Sequence, residues 1–112
     1  MSRVHLQPTS LVGRRLRHRR EELGLSLEKV GVAIGIDESS ARARISRYEL
    51  GVHEPPLPTA RLLAQALGVP LAFLYCENDM VSQLLLKLHR LDSEALELCV
   101  KRCIKTTDSF HI

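Results

Sequence analysis

The sequence predicts an all-α fold, five short helices followed by a C-terminal helical hairpin, and three observations carry that prediction. Apolar residues recur at helical offsets of three, four and seven in successive segments, and glycines or prolines stand between those segments. Aromatic residues make up only 4% of the chain. A core built from Leu, Ala, Val and Ile suits packed helices better than a sandwich of strands. At 112 residues, with 45% hydrophobic and 26% charged residues, the chain can form one modest core without metals or disulfides and is too apolar for global disorder.

The elements follow in order. In residues 11–23, Val12, Leu16 and Leu23 share a face, with arginines around the rest, and Gly24 stops this first helix. Ser26 caps a second helix whose inward positions are Val30, Ala33 and Ile34, ended by Gly35. Asp37 caps a third, which runs through Ile45 and Tyr48 to Leu50 before Gly51 closes it. Pro55 and Pro56 forbid continuation, and Pro58 opens a fourth helix carrying Leu62, Leu63, Ala66 and Leu67. After Gly68, Pro70 opens a short fifth helix with Leu71, Phe73, Leu74 and Tyr75. Two more helical patterns occupy residues 80–90 and 93–105, the second capped by Asp92 or Ser93. Residues 9–76 are expected to form one domain, and residues 77–112 a helical extension for dimerisation or packing.

Several classes of function are excluded. The longest apolar run, residues 71–76, is far short of the roughly 18 to 20 residues of a membrane span, and the N-terminus lacks the apolar stretch of a secretory signal. Cys76, Cys99 and Cys103 are an odd count without CxxC spacing, which indicates neither a disulfide framework nor a zinc knuckle and suits a reducing cytoplasm. The five histidines are scattered with no i, i+4 pair, so no metal site is expected. Neither a phosphate-binding loop nor a nucleophile with its base is visible, so the chain reads as a non-enzyme without a cofactor. Cys99 and Cys103, four apart on one helix, read as small apolar residues of a packed face, with a redox switch as the alternative.

Charge directs attention to the first half, where 11 basic residues face 7 acidic ones up to Arg61, against 5 and 6 thereafter. A basic half is a candidate for a polyanion. Within it, two helices separated by a tight glycine turn, the second rich in Arg and Ser, match what a major groove about 12 Å wide admits: a supporting helix and a probe helix. The guanidinium groups of Arg42 and Arg47 can bond bidentately to guanine, and Ser39, Ser40 and Ser46 can bond bases or phosphates. The small Ala41 and Ala43 would let the probe helix approach the bases closely.

Those residues also carry a family resemblance. Gly13-Arg14-Arg15-Leu16-Arg17, followed by Arg20-Glu21-Glu22-Leu23-Gly24-Leu25-Ser26, resembles the opening of the Cro/C1-type (XRE) helix-turn-helix family. Ile45-Ser46-Arg47-Tyr48-Glu49-Leu50-Gly51 resembles the end of its recognition helix, Pro55 its loop proline, and residues 62–74 its last two helices. The resemblance implies a five-helix lambda-repressor-like DNA-binding domain, bacterial or phage-encoded, acting as a homodimeric cytoplasmic transcriptional repressor on double-stranded DNA. It places base contacts at Arg42, Ala43 and Arg47, to which the residues themselves add Ser39, Ser40 and Arg44 for bases and Arg14, Arg15, Arg17, Ser26, Ser46 and Arg61 for phosphates. Arg20 and Glu49 become a structural ion pair between the first and third helices.

This chain departs from the family pattern in three places. Nine residues lie between Gly35 and Ile45, about four more than usual, so either the recognition helix begins a turn earlier or the turn is enlarged. Leu27 stands where glutamine is usual, and the loop after Gly51 carries Glu54. The C-terminal helices hold Leu84, Leu85, Leu88, Leu91, Leu96, Val100 and Ile104, more apolar surface than two short helices bury between themselves. Either they pack back on the fifth helix, or they pair with a second copy through Leu84, Leu88, Leu91, Leu96 and Val100. A second functional reading is a protein-interaction module, such as an antitoxin-like partner, in which DNA binding is secondary.

Overall fold

The computed structural model describes residues 10–110; the predicted domain's first residue, residue 9, and residues 111–112 lie outside them. Among the described residues there are seven helices and no strand: α1 (Leu11–Glu22), α2 (Leu27–Ala33), α3 (Glu38–Leu50), α4 (Leu57–Leu67), α5 (Leu71–Leu74), α6 (Asp79–His89) and α7 (Ser93–Thr107). Polar side chains start five of them by accepting otherwise orphaned backbone N–H groups. The Ser10 hydroxyl accepts from Gly13 N at 3.0 Å, Ser26 from Lys29 N at 3.1 Å and the Asp37 carboxylate from Ser39 N at 3.3 Å. Asn78 and Asp92 do the same for Val81 and Ala95, so Asp92 rather than Ser93 caps α7. The stops expected at Gly24, Gly35, Gly51 and Gly68 all have positive φ.

The core joins every helix of the first five to its neighbours: Val12 and Leu16 from α1, Val30 from α2, Ile45 and Tyr48 from α3, Ala60, Leu63, Ala64 and Leu67 from α4, and Phe73 and Leu74 from α5. Three expected inward residues point out, the first being Leu23, 41% exposed at the C-cap of α1. Ala33 is exposed because the short α2 makes its closest approach one residue pair earlier, at Val30 and Gly31, and Leu62 is 45% exposed on the outer face of α4. The core also continues beyond Cys76. Leu86 of α6 is 4% exposed and belongs to the same cluster, and Ser82 is fully buried against α5. By contrast, α7 contributes no buried residue, and the molecule is elongated, 54 × 30 × 24 Å. Of the two C-terminal helices, α6 packs back on α5, whereas α7 has no fully buried residue and only Ala95, Cys99 and Val100 half-buried.

Candidate nucleic-acid interface

The interface is built where α2 and α3 cross. A Cβ placed on Gly31 would lie 2.5 Å from the Cβ of Ala41 and 2.9 Å from its Cα, so glycine is what allows the two backbones to touch. Ala41 is 0% exposed. It was expected to lie beside the bases and instead faces α2, because it stands one turn before Ile45 and so shares the inward face of α3. The extra residues between Gly35 and Ile45 go into the helix, which starts at Glu38 and is thirteen residues long, while the connecting turn stays tight.

Ala41, Ile45, Tyr48 and Glu49 form the inward face of α3. Opposite them, Ser39, Ser40, Arg42, Ala43, Arg44 and Arg47 are all exposed, and Ser46 is half-buried. The six residues proposed for base contact are therefore all exposed, spread around the outer side of α3 with Arg42 and Arg44 toward opposite edges. Arg42 stands at the α2 edge of that face, lining a shallow notch with Arg20, Ser26, Leu27 and Glu28. The notch lies beside the N-terminal turn of α2, where N–H groups and the helix dipole favour an anion. Leu27, in the position of the usual glutamine, packs half-buried against the core.

The orientation of α3 is held by Glu49, 1% exposed. Its two carboxylate oxygens accept from Arg20 Nε at 2.6 Å and Arg20 Nη2 at 3.0 Å, and Arg17 Nε donates to Oε1 at 3.2 Å. Arg20 also donates from Nη1 to the Leu25 carbonyl at 3.0 Å, tying the α1–α2 turn into the same cluster. The hydrogen bond to Glu49 raises the Arg20 pKa above its already high value, so the guanidinium stays charged throughout any working pH range. Gly13 allows α1 to come this near: a Cβ there would meet the Glu49 carbonyl oxygen at 2.1 Å.

The arginine run of α1 is divided by the fold. Arg15, expected on the phosphate backbone, is instead 5% exposed: its Nε and Nη2 donate to the Cys76 carbonyl at 3.0 and 2.7 Å, Nη2 lies 3.0 Å from Asp79, and the guanidinium sits 5.9 Å from the Phe73 ring centroid. That is a correction with a plain cause, since Arg15 shares the α1 flank that meets α5 and α6. Arg19, 8% exposed, similarly donates to the Leu67 carbonyl at the end of α4, at 2.9 Å. Arg14 leans toward α6, 3.6 Å from Asp79. Arg17 and Arg61 remain at least partly exposed, and the Ser26 hydroxyl is engaged as a cap. Sequence reasoning missed Arg19, and no local signal could have found it, because its acceptor is 48 positions away.

No group of three or more His, Cys, Asp or Glu side chains among the described residues could hold a metal ion. No described helix is long and apolar enough to cross a membrane.

A helix, α3, held against α2 by a glycine contact and against α1 by a buried ion pair is the arrangement of a helix-turn-helix protein, and the comparisons agree. A helix-turn-helix family model matches residues 16–74, more than half of the chain, which belongs to the Cro/C1-type (XRE) helix-turn-helix family of DNA-binding regulators. Among solved structures, the crystal structure of transcriptional regulator BswR is similar, with 38% sequence identity and a TM-score of 0.75 over 84% of this chain and 92% of that one. No curated protein sequence matches.

Proposed function

We propose that the chain is a homodimeric, sequence-specific transcriptional repressor, acting in a bacterial or phage-infected cytoplasm, that inserts α3 of each subunit into successive major grooves of a palindromic site. The observation that carries this reading is the exposed face of α3, where Arg42, Arg44 and Arg47 make no ion pair among the described residues while the opposite face is clamped by Arg20 and Glu49. A charged face left unneutralised on a rigidly held helix suits an anionic duplex. In this reading Arg42, Arg44 and Arg47, with Ser39, Ser40 and Ala43, read base edges, and Arg17, Ser26, Ser46 and Arg61, with Arg14 at the margin, meet phosphates. Repression follows from occupancy of a promoter site. Leu84, Leu88, Leu91, Leu96 and Val100 supply the dimer contact, which would set two recognition helices about 34 Å apart, one DNA turn.

Selection from a random DNA pool, followed by affinity for the winner against scrambled DNA over a range of salt, tests the proposal. A symmetric site bound at least about a thousandfold better than scrambled DNA is expected. Replacing Arg47 with alanine should relax preference at one base pair by about 1 to 3 kcal/mol, whereas Arg61→Ala should weaken all sequences alike. Unselective binding that vanishes with salt would favour the second reading, a protein-interaction module, for which the uncovered α7 is the supporting feature.

A further inference from the structure

We propose that α7 is the surface on which a second copy of this chain docks, and that the two α7 helices pair antiparallel. The inference rests on the dimeric reading above and adds to it the element, the direction and the register. α7 spans fifteen residues, none of them buried by its own chain. A helix of that length is marginal in water without tertiary packing. Its residues Leu96, Val100, Cys103 and Thr107 recur at steps of four, three and four, the seam of a two-stranded coiled coil. Ile104, 56% exposed, widens the stripe along one edge.

Charge selects the direction. Asp92, Glu94 and Glu97 occupy the first half of the element, and Lys101, Arg102 and Lys105 the second, with Asp108 at the C-cap; Glu97 and Lys101 also pair within the helix at 2.9 Å, so the end charges Asp92 and Glu94 against Arg102 and Lys105 carry the polarity. This polarity suits the helix's own dipole, and it favours two copies that run antiparallel, acidic end beside basic end. A parallel pair would set acid beside acid and base beside base, which opposes association. With the two-fold axis midway between Val100 and Cys103, each Val100 meets Cys103 of the second copy, and each Leu96 meets Thr107. The contact is isologous, as a closed dimer requires. It also gives Cys103, an exposed thiol on this stripe, a partner in Val100 of the second copy.

Disulfide trapping on the full chain tests the arrangement, in a background of Cys76→Ser, Cys99→Ala and Cys103→Ala. Since no residue of α7 is fully buried in its own protomer, these changes should leave each protomer folded, which circular dichroism checks first. Chains carrying Leu96→Cys alone or Thr107→Cys alone are expected to stay uncrosslinked under mild oxidation, and the two co-expressed should yield a covalent dimer. Self-crosslinking of Leu96→Cys would mean parallel helices and overturn the proposal. No crosslink in any combination, with a dimer still seen by sedimentation, would place the contact elsewhere and overturn the α7 arrangement while the dimeric reading stands. A monomer at concentrations that saturate DNA would overturn both.

Discussion

Arg15 and Arg19 donate to main-chain carbonyls 61 and 48 positions away, Cys76 at 2.7 Å and Leu67 at 2.9 Å, and so act as stays for the ends of α5 and α4. A guanidinium suits this use because it stays charged and offers several donors in a fixed fork. Arg15→Ala should cost about 1.5 to 3 kcal/mol, the range for a hydrogen bond to a charged group, and leave the preferred DNA sequence unchanged. Denaturant unfolding and repeat sequence selection would read the two effects separately. At the start of α3, the Ser39 hydroxyl and backbone N–H both donate to Asp37 and hold its carboxyl below the ordinary carboxylate range. A carboxyl depressed in the folded state adds stability that is present above its unfolded pKa and is lost as the pH falls through its folded pKa. In an NMR titration of the free protein, Ser39→Ala should return the Asp37 midpoint toward the ordinary value, and the first turn of α3 should fray at higher pH than in the parent.

At the scale of elements, the α2–α3 pair is set by a contact between two small residues. Alanine is the better helix former, by about 1 kcal/mol over glycine. Gly31→Ala should nevertheless destabilise the domain by about 1 to 3 kcal/mol, because the new Cβ would fall on the Cβ and backbone of Ala41, neither of which can swing aside. Adding Ala41→Gly should restore part of the loss, since one of the clashing atoms is then gone. A double-mutant cycle in urea checks both statements. The added turn of α3 is explained by the same contact: extending the helix to Glu38 carries Ala41 past Gly31 and leaves Ser39 and Ser40 on the outward side.

For the whole molecule, the boundary that matters is between α6 and α7. Leu86 and Ser82 bury α6 against α5, and the Arg15–Asp79 contact pins its first turn to α1, whereas α7 gives no buried residue. Removing residues 92–112 should therefore change the stability of the unpaired protomer, measured at concentrations too low for dimerisation, by no more than about 0.5 kcal/mol, as for surface changes remote from the core. The same truncation should lower affinity for a palindromic site at least tenfold while sparing a single half-site. Thermal melting and titration of full-site and half-site duplexes measure the two arms. Equal loss on both duplexes would mean that the tail contributes to each protein–DNA contact and not to pairing.

The sequence by itself determined the number and order of the helices. Those depend on local facts: Ser, Asp and Asn before a helical turn, glycine after one, and apolar residues repeating at the helical period. It also determined which residues could pair: Arg20 and Glu49 were legible through the family pattern, although nothing adjacent to either residue indicates the other. What the tertiary structure decided is the division of like residues into unlike roles. Arg14, Arg15, Arg17, Arg19 and Arg20 are chemically the same, and only the positions of α3, α4, α5 and α6 around α1 turn Arg15 and Arg19 inward to carbonyls, Arg17 and Arg20 to Glu49, and Arg14 toward Asp79. Ala41 and Ala43 separate in the same way, one against Gly31 and the other exposed. The helical period fixes a side chain's angle about its own axis, but what stands at that angle is supplied by residues tens of positions away.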